Sequence, residues 1–138
     1  MALFTDTMTV YNCIGECKWQ RTVVKGVQWV RQETTVLTEK NTKVKKMVQS
    51  ISVDFGRDYG NAQYVEPRVF EKLEDKTRYW TLNAESGLDV VVLGDAQVEL
   101  SADYRPKHLR TDMECATVTS VSDYRNRSFL KHIKVVAE

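Results

Sequence analysis

Between Lys43 and Phe55 the chain alternates with a period of two: Met47, Ile51, Val53 and Phe55 take one face, and Lys46, Ser50, Ser52 and Asp54 take the other. Successive side chains of an extended backbone point to opposite sides, so this pattern describes a strand with one buried face. The segment Lys18 to Arg31 is also extended, with Trp19, Val23, Val27 and Trp29 predicted to share a face. The polar run Gln32 to Thr42 lies between them, and the whole reads as one long hairpin. Gly26 interrupts the first arm. An interior glycine in a strand marks a bulge or bend, a device that curls a sheet toward a barrel.

A second hairpin ends the chain, with Thr117 to Val121 as one arm, Ser122 to Arg127 as a polar loop, and Phe129 to Val136 as the other arm. Phe129, Ile133 and Val135 are predicted on its buried face, with Leu130, His132, Lys134 and Val136 opposite, so this last strand is expected to seal the sheet. Thr7 to Tyr11 is a short strand with Met8 and Val10 inward. The apolar run Val90 to Leu93, flanked by Gly87 and Gly94, describes a strand covered on both faces. Tyr79 to Leu82 is a further aromatic strand. A short helix is predicted from Pro67, with Val69, Phe70 and Leu73 on one side. Ser101 to Tyr104 reads as a single helical turn stopped by Pro106, and Lys107 to Asp112 as a polar connection. The expected fold is mainly β: a small curled β-barrel with long hairpin loops and one short helix, a single domain over residues 1–138.

A formal net charge of +1 lacks the basic excess of a dedicated nucleic-acid binder. Lys43, Lys45 and Lys46, and likewise Arg125 and Arg127, read as solvated faces. No apolar run approaches a membrane span, and the amino-terminal residues lack the pattern of a secretory signal, so a cytoplasmic setting, or packing into something assembled there, is expected. Three cysteines, an odd number, fit a reducing compartment. Cys13, Cys17, Cys115, His108 and His132 are the residue types that could supply a zinc set, but the first spacing is loose and no second tight pair follows, so no metal or other cofactor is expected. His132, between Lys131 and Lys134, reads as a strand exterior residue; no nucleophile motif or phosphate-cradling glycine loop accompanies it, and the chain is not expected to be an enzyme. Trp19, Trp29, Tyr79 and Trp80 are better placed as core than as a base-stacking platform.

Four stretches carry a resemblance: Ala2-Leu3-Phe4-Thr5-Asp6-Thr7-Met8-Thr9-Val10-Tyr11-Asn12, then Trp80-Thr81-Leu82, then Asp89 to Gly94, then Arg127-Ser128-Phe129-Leu130-Lys131-His132-Ile133-Lys134-Val135-Val136. In this order they resemble small proteins encoded in the morphogenesis region of tailed phages and prophages of Gram-positive bacteria, the minor capsid or head-tail connector proteins. The resemblance spans nearly the whole chain in short patterns. It implies a head-completion, or stopper, subunit: a β-barrel that forms a homo-oligomeric ring beneath the portal-adaptor, retains packaged DNA and docks the tail. Its implied partners are the portal-adaptor on the head side and a tail terminator or tail tube protein on the other. Double-stranded DNA would pass through the channel without sequence-specific binding, and the implied location is the virion neck, assembled in the host cytoplasm. The Cys13 to Cys17 insert and the Gly56 to Asn61 loop have no counterpart in the pattern.

On this reading Met47, Ile51, Val53, Phe55, Val90, Val92, Ile133 and Val135 form the core face. The segment Gln32 to Thr42, including Glu39 and Lys40, and the loop residues Arg57, Asp58 and Tyr59 reach neighbours or the channel, and Arg125 and Arg127 make subunit contacts. The rival readings are a tail terminator or other tail-proximal ring protein, for which a more substantial helix is expected, and an oligonucleotide-binding barrel, which would expose Trp19 or Trp29. A small hydrolase is the remaining rival.

Overall fold

The computed structural model describes residues 4–127 and 129–138. Met1, Ala2, Leu3 and Ser128, which belong to stretches used in the sequence reading, lie outside the described residues. Six antiparallel strands form a closed barrel: β1 (Asp6–Gly15), β2 (Lys18–Leu37), β3 (Lys43–Asp54), then β8 (His132–Ala137), β7 (Cys115–Asp123) and β6 (Val90–Leu93), which pairs back to β1. Beside it β4 (Gln63–Tyr64) and β5 (Tyr79–Trp80) make a short parallel pair, and two helices, α1 (Pro67–Lys72) and α2 (Pro106–Asp112), lie in the connections. The expected barrel and the sealing role of the last strand are both present, with β8 hydrogen-bonded between β3 and β7.

Gly26 supplies the expected bulge. Thr7 pairs with Lys25 and Asp6 with Val27, so Gly26 is the extra residue, in the left-handed region at φ +77°. One extra residue inverts the parity of everything beyond it. Upstream of Gly26 the interior face is Val24, paired with Met8, and downstream it is Val27 and Trp29. The predicted common face of Trp19, Val23, Val27 and Trp29 is therefore split, and Trp19 packs on the outer side.

Two apolar clusters result. The barrel interior holds Met8, Val10, Val24, Val27, Trp29, Ile51, Val53, Val91, Val118, Ile133, Val135 and Ala137, with Trp80 and Leu82 closing one end. The second cluster lies outside the wall, where Tyr11, Val90 and Val92 are covered by Ala96, Leu100 and Leu109 from the connection carrying α2. β6 is thus buried on both faces, as its sequence predicted, but Val91 rather than Val90 and Val92 points inward. Of the predicted core face, Ile51, Val53, Ile133 and Val135 are interior and Phe55 packs partly against them, whereas Met47 is 46 % exposed.

Three further expectations are corrected. Pro106 starts a helix instead of stopping one, because a proline at the first helical position sacrifices no hydrogen bond there; the expected polar connection Lys107 to Asp112 is the body of α2, held by the buried Leu109. The chain has two short helices among the described residues, not one. Phe129 and Leu130 lie before β8, outside the ladder, so Phe129 does not share the buried face of Ile133 and Val135.

Candidate interaction surfaces at the two ends of the barrel

Because all six barrel strands are antiparallel, the connections sort to two ends. The β2 to β3 turn projects from the end where β8 finishes; the long segments 55–89 and 124–131 enter at the other. The predicted contact residues divide accordingly. Arg57, Asp58, Tyr59, Arg125 and Arg127 belong to the loop end, and Glu39 and Lys40 sit at the tip of the hairpin at the far end.

At the loop end an aromatic trio plugs the barrel. Tyr64 packs edge-on to Trp80 at 4.9 Å between centroids and to Phe55 at 5.9 Å, and the Trp80 indole N–H donates to the Ala62 carbonyl at 2.9 Å. Arg125 lies over this trio, its guanidinium 4.6 Å from the Tyr64 ring centre, and its Nε and terminal nitrogen donate to both oxygens of Asp123 at 2.8–3.0 Å. A planar fork satisfied by a carboxylate and stacked on an aromatic is an internal clamp. Arg125 therefore has its main partners within its own chain, whereas Arg127 is exposed, its guanidinium 5.4 Å from the Tyr124 ring centre. The loop Gly56 to Asn61 is also fastened. The Tyr59 hydroxyl donates to Asp54 at 2.5 Å, a bond that raises the Tyr59 pKa, and its ring covers Gly26. Asn61 exchanges two 2.8 Å hydrogen bonds with the Lys25 backbone, and Asp58 accepts from the Gly60 N–H. Arg57, Asp58, Tyr59 and Arg125 share one cleft, of about 290 Å³, and of these four Arg57 and Asp58 are exposed.

The Arg125 guanidinium holds the Asp123 carboxyl below the usual carboxylate range. A depressed folded-state pKa gives stability that is present above the unfolded value and lost as pH falls through the folded one. With both partners part-exposed, solvent screening limits the pair to about 0.5–1 kcal/mol. Asp123→Asn is expected to lower stability by that amount at neutral pH and to leave it unchanged relative to wild type once the carboxyl is protonated. Urea unfolding at both ends of that pH range checks this; an equal loss at both would contradict it.

A polar knot fixes the neighbouring segment. Asp89, 2 % exposed, accepts from the Cys13 N–H at 3.0 Å, the Asn83 N–H at 2.9 Å and the Asn12 side-chain amide at 2.9 Å. Asn12 also donates to the Thr81 carbonyl and accepts from the Thr81 N–H. Burial outweighs these three hydrogen bonds and raises the Asp89 pKa.

Two surfaces were not anticipated. Phe129 and Leu130 form an apolar tip, 78 % and 67 % exposed, beside Tyr124 and His132, whose rings stack at 4.8 Å. Leu130 adopts φ +53°, a left-handed turn that lifts it out of the ladder. Strict parity carried back from Ile133 to Phe129 conceals this break in the sequence. The second is a groove of about 430 Å³ beside α1, lined by Tyr64, Glu66, Glu71, Leu82, Glu85 and Val121 among others.

Among the described residues no group of three or more His, Cys, Asp or Glu could hold a metal ion, and Cys13, Cys17 and Cys115 are unpaired thiols. Cys115 packs against the outer cluster, and burial raises its pKa, which suits a small hydrophobe. Among curated proteins and among solved structures nothing matches this chain. Over residues 3–138 the chain matches the family of unknown function DUF6751, and it belongs to that family.

Proposed function

We propose that this chain is a structural subunit of a tailed-phage neck, a head-completion or stopper protein that forms a ring between the portal-adaptor and the tail. Its ring would retain packaged DNA and dock the tail. Beside the resemblance, one observation carries the reading: the barrel is sealed, and the three most exposed large apolar side chains among the described residues, Leu37 on the hairpin arm and Phe129 and Leu130 on the tip, stand at its two ends. Within the body of the barrel, closure removes the strand edges through which sheet proteins pair indiscriminately. A rigid body with protruding connections suits a subunit that must meet neighbouring copies as well as different proteins on the head and tail sides. A net charge of +1 suits a channel through which duplex DNA slides without being gripped.

A tail terminator is less well supported, since the described helices have six and seven residues. A single-strand-binding barrel is disfavoured because Trp29 and Trp80 are buried and Trp19 packs against the outer cluster.

In the phage or induced prophage that encodes the chain, deleting it is expected to yield unjoined heads and tails, with heads losing their DNA. Antibody labelling of wild-type particles should mark the neck. Normal tailed particles in the deletion, or absence of the chain from purified particles, would overturn the reading.

A further inference from the structure

We propose that copies of this chain join head to tail, the hairpin arm of one seating in the acidic groove beside α1 of the next. The inference deepens the ring reading above and rests on it for its setting.

The arm is left unpartnered by the barrel. β1 pairs with β2 only as far as Val27, and β8 pairs with β3 only from Gln49 onward, while β2 and β3 continue together to Leu37 and Lys43. Beyond Arg31 and Gln49 the arm is a two-stranded ribbon, and its described side chains over 32–37 and 43–47 are exposed. Such a ribbon is marginal alone in water, and this one carries Val36 directly opposite Val44, both about half exposed, with Leu37 63 % exposed beyond them. Uncovered apolar pairs on a ribbon are surface awaiting a partner.

Charge indicates which partner. At the base, Arg31 pairs with Glu114 at 2.9 Å and Lys46 with Glu138 at 2.7 Å, which ties the ribbon to its own barrel. Farther out stand Lys40, Lys43 and Lys45 against Glu33 and Glu39, with only a loose 3.7 Å contact between Lys45 and Glu33. Residues 31–48 carry five cationic and two acidic side chains, a net +3, so with a total of +1 the rest of the chain is net −2. The groove at the opposite end has an apolar floor, including Tyr64, Leu82, Ala84 and Val121, and an exposed rim of Glu66, Glu71 and Glu85. Arg68 is the one cation lining it among the described residues, 3.9 Å from Glu66. Its volume of about 430 Å³ accepts a few aliphatic side chains. The two faces of the ribbon differ: Val36 and Val44 lie on one, while Leu37, directly opposite Lys43, shares the other with Lys43 and Lys45. On that second face an apolar side chain flanked by lysines meets an apolar floor flanked by glutamates.

Donor and acceptor lie at opposite ends of one barrel, so the contact is heterologous. It closes into a ring if the rotation between copies permits and otherwise runs on as a filament. Nucleic acid is the weaker occupant, because phosphates would meet the lysines but leave Leu37, on the same face, uncovered.

Charge exchange tests this on the full chain. One variant reverses the arm (Lys40→Glu, Lys43→Glu, Lys45→Glu), another reverses the groove (Glu66→Lys, Glu71→Lys, Glu85→Lys), and a third carries both sets. All changes are at exposed positions, and circular dichroism establishes that each variant folds. In sedimentation the wild type is expected to self-associate in a salt-sensitive way, each single set to weaken association at least ~10-fold, and the combined chain to recover it. Association indifferent to both single sets overturns the arm and groove contact while leaving the ring to the particle experiment. A wild type still monomeric at ~1 mM overturns it also. So does a duplex DNA mobility shift that the arm reversal abolishes in a protein that never self-associates. The predicted exchange pattern in a protein absent from phage particles would instead retain the contact and remove the neck.

Discussion

Asp89→Ala is expected to cost about 3–5 kcal/mol, a large share of the 5–15 kcal/mol typical of a whole domain. The carboxylate is the acceptor for three donors from two separate segments, the Asn12 side chain and Cys13 backbone on β1 and the Asn83 backbone. Alanine leaves all three facing a gap with almost no access to water, and an unsatisfied buried donor costs more than the hydrogen bond contributed. The segment released, Thr81 to Asn83, helps cover the end of the barrel interior, where Leu82 lies against Trp80 and its neighbours. Asp89→Asn keeps the shape but turns a donor toward donors, so an intermediate loss of about 1–3 kcal/mol is expected. The pH dependence has the opposite sign to that of Asp123. Burial raises the Asp89 pKa, so the folded state holds its proton above the ordinary carboxyl value, and stability falls as pH rises from that value through the raised one. Asp89→Asn should flatten this part of the profile. Urea midpoints across the acid range read both effects, and a loss below about 1 kcal/mol for Asp89→Ala would contradict the knot.

Gly26→Ala is expected to cost about 2–4 kcal/mol, far above an ordinary glycine replacement. Two separate causes add. The backbone at φ +77° is left-handed, which disfavours any Cβ by about 1 kcal/mol. A methyl group there would also lie 2.6 Å from Cζ of the Tyr59 ring, inside van der Waals contact. The ring cannot simply swing aside, since its hydroxyl is bonded to Asp54 and its loop is held by Asn61 on Lys25. In a Tyr59→Ala background the overlap vanishes, and Gly26→Ala should then cost only the backbone part, about 1 kcal/mol. Additive losses in the double variant would show that the ring is not the obstacle. The same contact explains why Tyr59, a residue type common at partner surfaces, has its hydroxyl and ring engaged within its own subunit, whereas Arg57 and Asp58 beside it are exposed, Asp58 with one oxygen held by the Gly60 N–H.

The two predicted arginines teach the same lesson. Arg125 and Arg127 are two residues apart in one loop and look alike in sequence, yet one is clamped between Asp123 and Tyr64 and the other projects. A local pattern reports that a side chain is polar and in a turn. Whether it meets solvent depends on what a distant segment brings to it, here Tyr64 from β4.

What the sequence by itself determined is the six strands of the barrel, the long hairpin, the bulge at Gly26 and the closing role of the last strand, because alternation, turn residues and an interior glycine are local properties of an extended chain; the short strand Gln63–Tyr64 was not among them. It did not determine which face of β6 looks inward, since four consecutive apolar residues carry no alternation to read. Nor did it determine how far the hairpin outruns the barrel, because that depends on where β1 and β8 stop pairing with it. The outer cluster under α2, the knot at Asp89, the ring of Tyr59 over Gly26 and the groove opposite the arm were decided by tertiary structure alone. Each joins residues far apart in the chain, and only closing the barrel brings them within reach of one another.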